Sequence, residues 1–303
     1  MAYRKIFDPE PEELSAPPEG AAIAGPDRRD GTVYVYHDEA ITMAVNVALV
    51  TSRPLLVSGP PGSGKSSLAP SIATVLDGAA GDGLRWAYAE HVVTPSTRAA
   101  DLLWRYDAVR RLRDAQAGEL ARDPKYLQPG VLWRAFAASH EGVRTVVLLD
   151  EIDKADPDVP NSLLEVLGNL RFTVGETGEE VTAAPEREPL VVLTTNNERE
   201  LPRPFLRRCV TLTLQRPGPD RLLRIADAHG LGGDAKLAGE LAELLDTLAR
   251  EAEARGRPAP SAAEYLDALR TCRELGITPQ SPVWEHVERA TLRKPTQFGD
   301  GAG

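Results

Sequence analysis

Residues 59–66 read Gly-Pro-Pro-Gly-Ser-Gly-Lys-Ser and follow directly on the apolar run Leu55, Leu56, Val57. The spacing Gly-x-x-x-x-Gly-Lys-Ser behind such a run predicts a strand, a tight glycine turn and then a helix. In that arrangement backbone N–H groups, the positive end of the helix and the lysine all face one anion. The expected occupant is the phosphate tail of ATP or GTP. Eight residues can match a pattern by chance, so the rest of the chain has to supply the partners such a loop needs.

Three more apolar runs read as strands: Thr145, Val146, Val147, Leu148, Leu149; then Leu190, Val191, Val192, Leu193; then Val210 to Leu214 with threonine at alternate positions. Val146 to Leu149 shows no polar alternation, as expected of a strand buried on both faces. Helical segments separate the runs, beginning with Lys65 to Leu76. Buried strands alternating with helices predict an α/β fold with an open parallel sheet covered by helices. Val33, Tyr34, Val35 and Tyr36 read as a further strand, and Glu39 to Val50 as a helix with Ile41, Val45, Ala48 and Leu49 on one face.

The 303 residues can bury one large core and a smaller one. At 42% hydrophobic and 26% charged the composition is that of a soluble globular protein. No apolar run approaches the roughly 18 residues a membrane span needs, and the first twenty residues lack a secretory apolar stretch. A cytoplasmic location is expected. Cys209 and Cys272 are far apart, show no paired spacing and lie in apolar periodic segments, so they read as structural thiols. The net charge of −10 argues against broad attraction to nucleic acid.

Residues 1–31, rich in proline and acid, are expected to be a flexible arm, with the folded core starting at Thr32. An insertion is expected over about residues 86–125, where Arg105, Arg110, Arg111 and Arg113 alternate with Asp101, Asp107 and Asp114 and read as a solvated helical face. Beyond Pro217 and Pro219 the pattern is helical. Leu237, Leu241, Leu244, Leu245 and Leu248 share a face, and Ser261 with Glu264 reads as a capping box. Residues 217–292 are therefore expected to be a small all-helical unit, with residues 293–303 as a loose tail.

Asp150 and Glu151 close the strand from Val146 to Leu149. A carboxylate at the carboxyl end of a strand beside a phosphate loop can hold magnesium, and its neighbour can polarise the attacking water. Asp150 is assigned the magnesium role and Glu151 that of general base. Thr194, Thr195, Asn196 and Asn197 end the next strand, where an amide can orient water between Glu151 and the γ-phosphate. Asn196 is the first choice and Asn197 the second. Arg207 and Arg208, just before the last strand, are placed to complete a neighbouring molecule's site.

These motifs, in this order and followed by a helical unit, resemble the AAA+ ATPases. Finer stretches are similar to the MoxR and dynein-related branch: Tyr126, Leu127, Gln128, Pro129, Gly130, Val131, Leu132 and Trp133; then Asp150, Glu151, Ile152, Asp153, Lys154 and Ala155; then residues 172–178, Phe-Thr-Val-Gly-Glu-Thr-Gly. The resemblance runs over about residues 32–290. It implies a nucleotide cradle of Gly59, Pro60, Pro61, Gly62, Ser63, Gly64, Lys65, Ser66 and Ser67, with Lys65 on phosphate and Ser66 joining Asp150 at magnesium. Asn196 or Asn197 matches sensor 1, and Arg207 or Arg208 the arginine finger that acts in trans. Residues 171–183 resemble the pre-sensor-1 hairpin, residues 86–125 the helix-2 insert, and residues 217–292 the helical lid. One departure stands out: the lid arginine common near a Ser-Pro-Arg pattern is replaced by Ser261, Ala262, Ala263 and Glu264.

The resemblance further implies ATP and Mg2+ as cofactors and a ring homo-oligomer, expected to be a hexamer, that remodels or activates a partner protein. Von Willebrand factor A-type partners are frequent in the branch. Two alternatives stay open: a nucleotide-gated scaffold with little turnover, which the missing lid arginine favours, and a nucleic-acid motor, which the net charge opposes.

Overall fold

The runs that carry apolar side chains on both faces have to be covered on both faces. In the computed structural model, which describes residues 4–9, 34–79, 84–118 and 123–293, they are. Helix α1 (Glu39–Thr51) leads into strand β1 (Leu55–Ser58) and helix α2 (Lys65–Ala79), then strand β2 (Arg85–Val92). Next come helix α3 (Ala99–Leu103), strand β3 (Trp104–Tyr106), helix α4 (Ala108–Ala117), strand β4 (Leu127–Pro129), helix α5 (Val131–His140) and strand β5 (Val143–Asp150). Helix α6 (Asp158–Asn169), the short strands β6 (Arg171–Thr173) and β7 (Glu180–Thr182), strand β8 (Leu190–Thr195), helix α7 (Arg203–Leu206) and strand β9 (Val210–Thr213) complete the α/β part.

Five strands form one parallel sheet in the order β2, β5, β8, β1, β9. Alternate residues of the central strands divide between two cores. Leu55, Val57, Val146, Leu148, Leu190 and Val192 pack with α1 and α2, while Leu56, Val147, Leu149, Val191 and Leu193 pack with α5 and α6. Each such Leu or Val side chain removed from water contributes about 1.5–3 kcal/mol, which fixes the register.

Strand β2 was not among the expected strands. It lies within the stretch read as an insertion, yet it pairs along its length with β5. Its sequence, Arg-Trp-Ala-Tyr-Ala-Glu-His-Val, lacks the apolar run because it is a sheet edge where only Trp86 is buried. The segment between β2 and α5 carries α3, α4 and the antiparallel pair β3–β4. It leans on the β6–β7 hairpin, where Trp104 stacks on Phe172 with centroids 5.6 Å apart and donates to Glu176 at 2.6 Å.

Tyr34, Val35 and Tyr36 do not form the expected strand. The two tyrosine rings instead join an aromatic cluster with Phe7, Tyr34 to Tyr36 at 4.8 Å and Phe7 to Tyr36 at 5.6 Å. Phe7 falls in the stretch read as a flexible arm but is fully buried in the core. Asn46 Oδ1 accepts from the backbone N–H groups of Ile6 and Phe7 at 2.7 and 2.9 Å, and Asn46 Nδ2 donates to the Phe7 carbonyl at 2.6 Å. Residues 10–31 of that arm and residues 294–303 of the expected tail lie outside the described residues.

Helices α8 (Pro219–Ala228), α9 (Ala235–Ala254), α10 (Ala262–Leu275) and α11 (Trp284–Thr291) share a separate core built on Leu222, Leu241, Leu245, Tyr265 and Leu269. The capping box at Ser261 and Glu264 starts α10 as expected. Among the described residues no helix is long and apolar enough to cross a membrane.

Candidate nucleotide site

Parallel pairing aligns the carboxyl ends of the central strands. Val57 sits opposite Thr194, Ser58 opposite Thr195, and Leu149 opposite Leu193. The glycine loop after β1, the acids ending β5 and the polar residues ending β8 therefore meet in one crevice, the place where open α/β sheets bind ligands. Asp150 is 2% exposed and its Oδ1 accepts two hydroxyl donors, Ser66 Oγ at 2.7 Å and Thr194 Oγ1 at 2.5 Å. Thr194 Oγ1 also accepts from the Glu151 backbone N–H at 2.9 Å. Hence the two expected magnesium residues touch, Ser66 at the start of α2 and Asp150 at the end of β5, and Thr194 fastens Asp150 to β8.

The loop is shaped by its glycines. Gly59 has φ 151°, and a Cβ there would come within 2.5 Å of the Leu214 carbonyl oxygen. Gly62 has φ 74°, and its Cβ would overlap the Cβ of Ser261 at 2.0 Å. The start of α10 thus lies directly on the phosphate loop. Lys65 is 7% exposed and donates to the loop carbonyls of Gly59 and Pro60 at 2.7 and 2.9 Å. Burial lowers its pKa, opposed by the nearby charges of Asp150, Asp153 and Glu151. A lysine ammonium held in place by carbonyls at a helix start is a ready anion site.

Glu151 adopts left-handed backbone angles, φ 61° and ψ 47°. Its carboxylate Oε2 accepts from Lys154 Nζ at 2.8 Å. Asn196 is half-buried and Asn197 exposed. Asn197 also has positive φ, 59°, with its N–H given to Thr195 Oγ1 at 2.9 Å. Neither asparagine side chain bonds Glu151 among the described residues. Asp153, 3% exposed, accepts from the Glu198 N–H at 2.9 Å and so ties the turn after Glu151 to the loop after Asn197.

Arg207 and Arg208 follow α7 and are exposed. They differ in partners. Arg208 Nη1 donates to the Leu164 carbonyl of α6 at 3.1 Å, whereas the Arg207 side chain makes no hydrogen bond or ion pair among the described residues. The structure does not bring either arginine into contact with the loop or the acids of its own chain. In the helical unit that carries the departure at Ser261, Arg270 pairs with Asp267 at 3.4 Å and Arg257 is exposed.

Thr194 and Lys154 are the contacts that sequence reading passed over. Thr194 was legible only as one of four polar residues at a strand end, and its partners lie 43 and 44 residues away. Lys154 stood in the quoted Asp-Glu-Ile-Asp-Lys-Ala stretch, at a spacing that a short turn can close.

Residues of this kind fit magnesium. The Ser66 hydroxyl and the Asp150 carboxylate already converge, and among the described residues no cluster of three His, Cys, Asp or Glu could hold a metal unaided. Magnesium ordinarily keeps several waters and takes one or two protein ligands with the substrate phosphates.

A glycine loop, a buried acid strand and a polar strand end on a five-stranded parallel sheet define a P-loop nucleotide-binding protein. The model of the AAA domain, dynein-related subfamily, matches residues 54–215, just over half of the 303 residues, and the chain belongs to that family. It is an AAA+ protein with the nucleotide-hydrolysing domain of that class. No curated protein matches the chain.

Proposed function

We propose that the protein hydrolyses ATP with magnesium in a ring-forming, MoxR-like assembly and uses the cycle to remodel or activate a partner protein. The observation that carries this reading is the contact of Ser66 with Asp150 at 2.7 Å, which joins the phosphate loop to the acid strand. Residues 59–67 bind the triphosphate, with Lys65 leaving its loop carbonyls for phosphate oxygens. Ser66 and Asp150 hold magnesium, whose bound charge would offset that developing on the phosphates. Glu151 accepts the proton of the attacking water, and Asn196, or Asn197 one residue on, orients that water.

Arg207 is the better candidate for the arginine that enters a neighbour's site. The Arg208 guanidinium is spent on the Leu164 carbonyl within α6, whereas the Arg207 side chain makes no hydrogen bond or ion pair among the described residues. An arginine finger supplies about 10³–10⁵ in rate, so an isolated chain would turn over slowly and a hexamer is the expected working form. The client is a partner protein, with a von Willebrand factor A-type domain as the first candidate.

In the direct test, Glu151→Gln binds ATP without turning it over and Lys65→Ala loses binding; turnover by both variants would reject the assignment. The second reading, a nucleotide-gated scaffold, draws on the alanines at 262 and 263 where an arginine is common. It predicts a flat, negligible rate per subunit as protein concentration rises.

A further inference from the structure

Glu151 has little freedom before nucleotide arrives. Its backbone is fixed in left-handed geometry with the N–H spent on Thr194, leaving only side-chain rotations to place the carboxylate. That carboxylate is held by Lys154, three residues on, at 2.8 Å. The lysine is presented by the short turn Ile152–Lys154, and the turn is pinned by the buried Asp153 carboxylate on the Glu198 N–H. No other side chain of the described residues bonds the Glu151 carboxylate, and neither Asn196 nor Asn197 competes for it.

We infer that Lys154 is a positioning residue that restrains Glu151, holding its carboxylate off the attacking water until the lysine lets go. The inference rests on the reading of Glu151 as general base. The ammonium on Oε2 fixes how the carboxylate is turned, so on this inference the pair opens or swings to bring a carboxylate oxygen onto the attacking water. The pair is one-third exposed, 35% for Lys154 and 28% for Glu151, so its strength is modest and it can open on the timescale of turnover. Asp153 supplies the link outward: anything that shifts the loop at Glu198, just past Asn197, shifts the turn that presents the lysine.

Lys154→Met keeps the stem and removes the charge. In single-turnover ATP hydrolysis by the assembled protein, it is expected to raise the rate about two- to fivefold, the equivalent of one partly exposed ion pair. The affinity for a non-hydrolysable ATP analogue stays unchanged, and Lys154→Arg returns the slow rate. A merely structural role predicts the reverse, with lower rates and weaker binding together. A Lys154→Met rate at or below that of the parent, with assembly and thermal stability intact, would overturn the inference. The double variant Lys154→Met/Glu151→Gln separates the two levels. If it is as silent as Glu151→Gln, the acceleration runs through Glu151; if it outpaces Glu151→Gln, Lys154 acts elsewhere and the inference fails. Full turnover by Glu151→Gln alone would instead reject Glu151 as base, whatever the lysine does.

Discussion

The carboxyl ends of β1, β5 and β8 and the short helix α7 both carry residues expected to act on the nucleotide, but their surroundings are opposite. At the strand ends Asp150, Ser66, Thr194 and Lys65 are buried or half-buried, and each has its partner within the chain. At α7 Arg207 is exposed and its guanidinium is unspent among the described residues. Polar groups removed from water need partners, so the first set has to be built within the fold. A guanidinium in water needs none, and can wait for a second molecule. The contrast fits the proposal that one chain prearranges part of the site and offers Arg207 to a neighbour.

Variants can break this contrast, and Arg207→Ala should do so most. It is expected to lower turnover by about 10³–10⁵ while ATP binding and chain stability stay put; steady-state rates beside analogue binding check this. Thr194→Val attacks the other side. It leaves the Glu151 N–H without its acceptor and strips a donor from Asp150, and should cost about 1–3 kcal/mol of stability, visible as a lowered Tm. Arg208→Ala, which removes one bond to the Leu164 carbonyl in α6, should cost about 0.5–1.5 kcal/mol and little turnover. If Arg208→Ala cripples turnover and Arg207→Ala does not, the two arginines exchange roles.

Legibility followed the same division. The phosphate loop, the strands apolar on both faces and the capping box at Ser261 were readable because each rests on residues close in sequence. Strand β2 was hidden: an edge strand with Ala87, Ala89 and Glu90 needs no apolar run. Phe7 looked like part of a charged, proline-rich arm, and only Asn46, 39 residues on, shows why it is anchored. Thr194 could be told from Thr195 only by register, which places its hydroxyl between Asp150 and Glu151. The departure at Ser261 was visible as a missing arginine, while its contact with Gly62 depended on how the helices fold back over the loop.

In the proposed assembly one chain holds half a catalytic site and a neighbour holds the rest. Glu151→Gln subunits lack the base but keep Arg207; Arg207→Ala subunits lack the arginine but keep the base. Each variant alone should be nearly silent in ATP turnover, and mixing the two under assembling conditions should restore a measurable rate, because some interfaces then pair an intact Glu151 with an intact Arg207. A mixture that co-assembles yet stays as silent as its components, or an Arg207→Ala protein that turns over at the parent rate by itself, would contradict the claim.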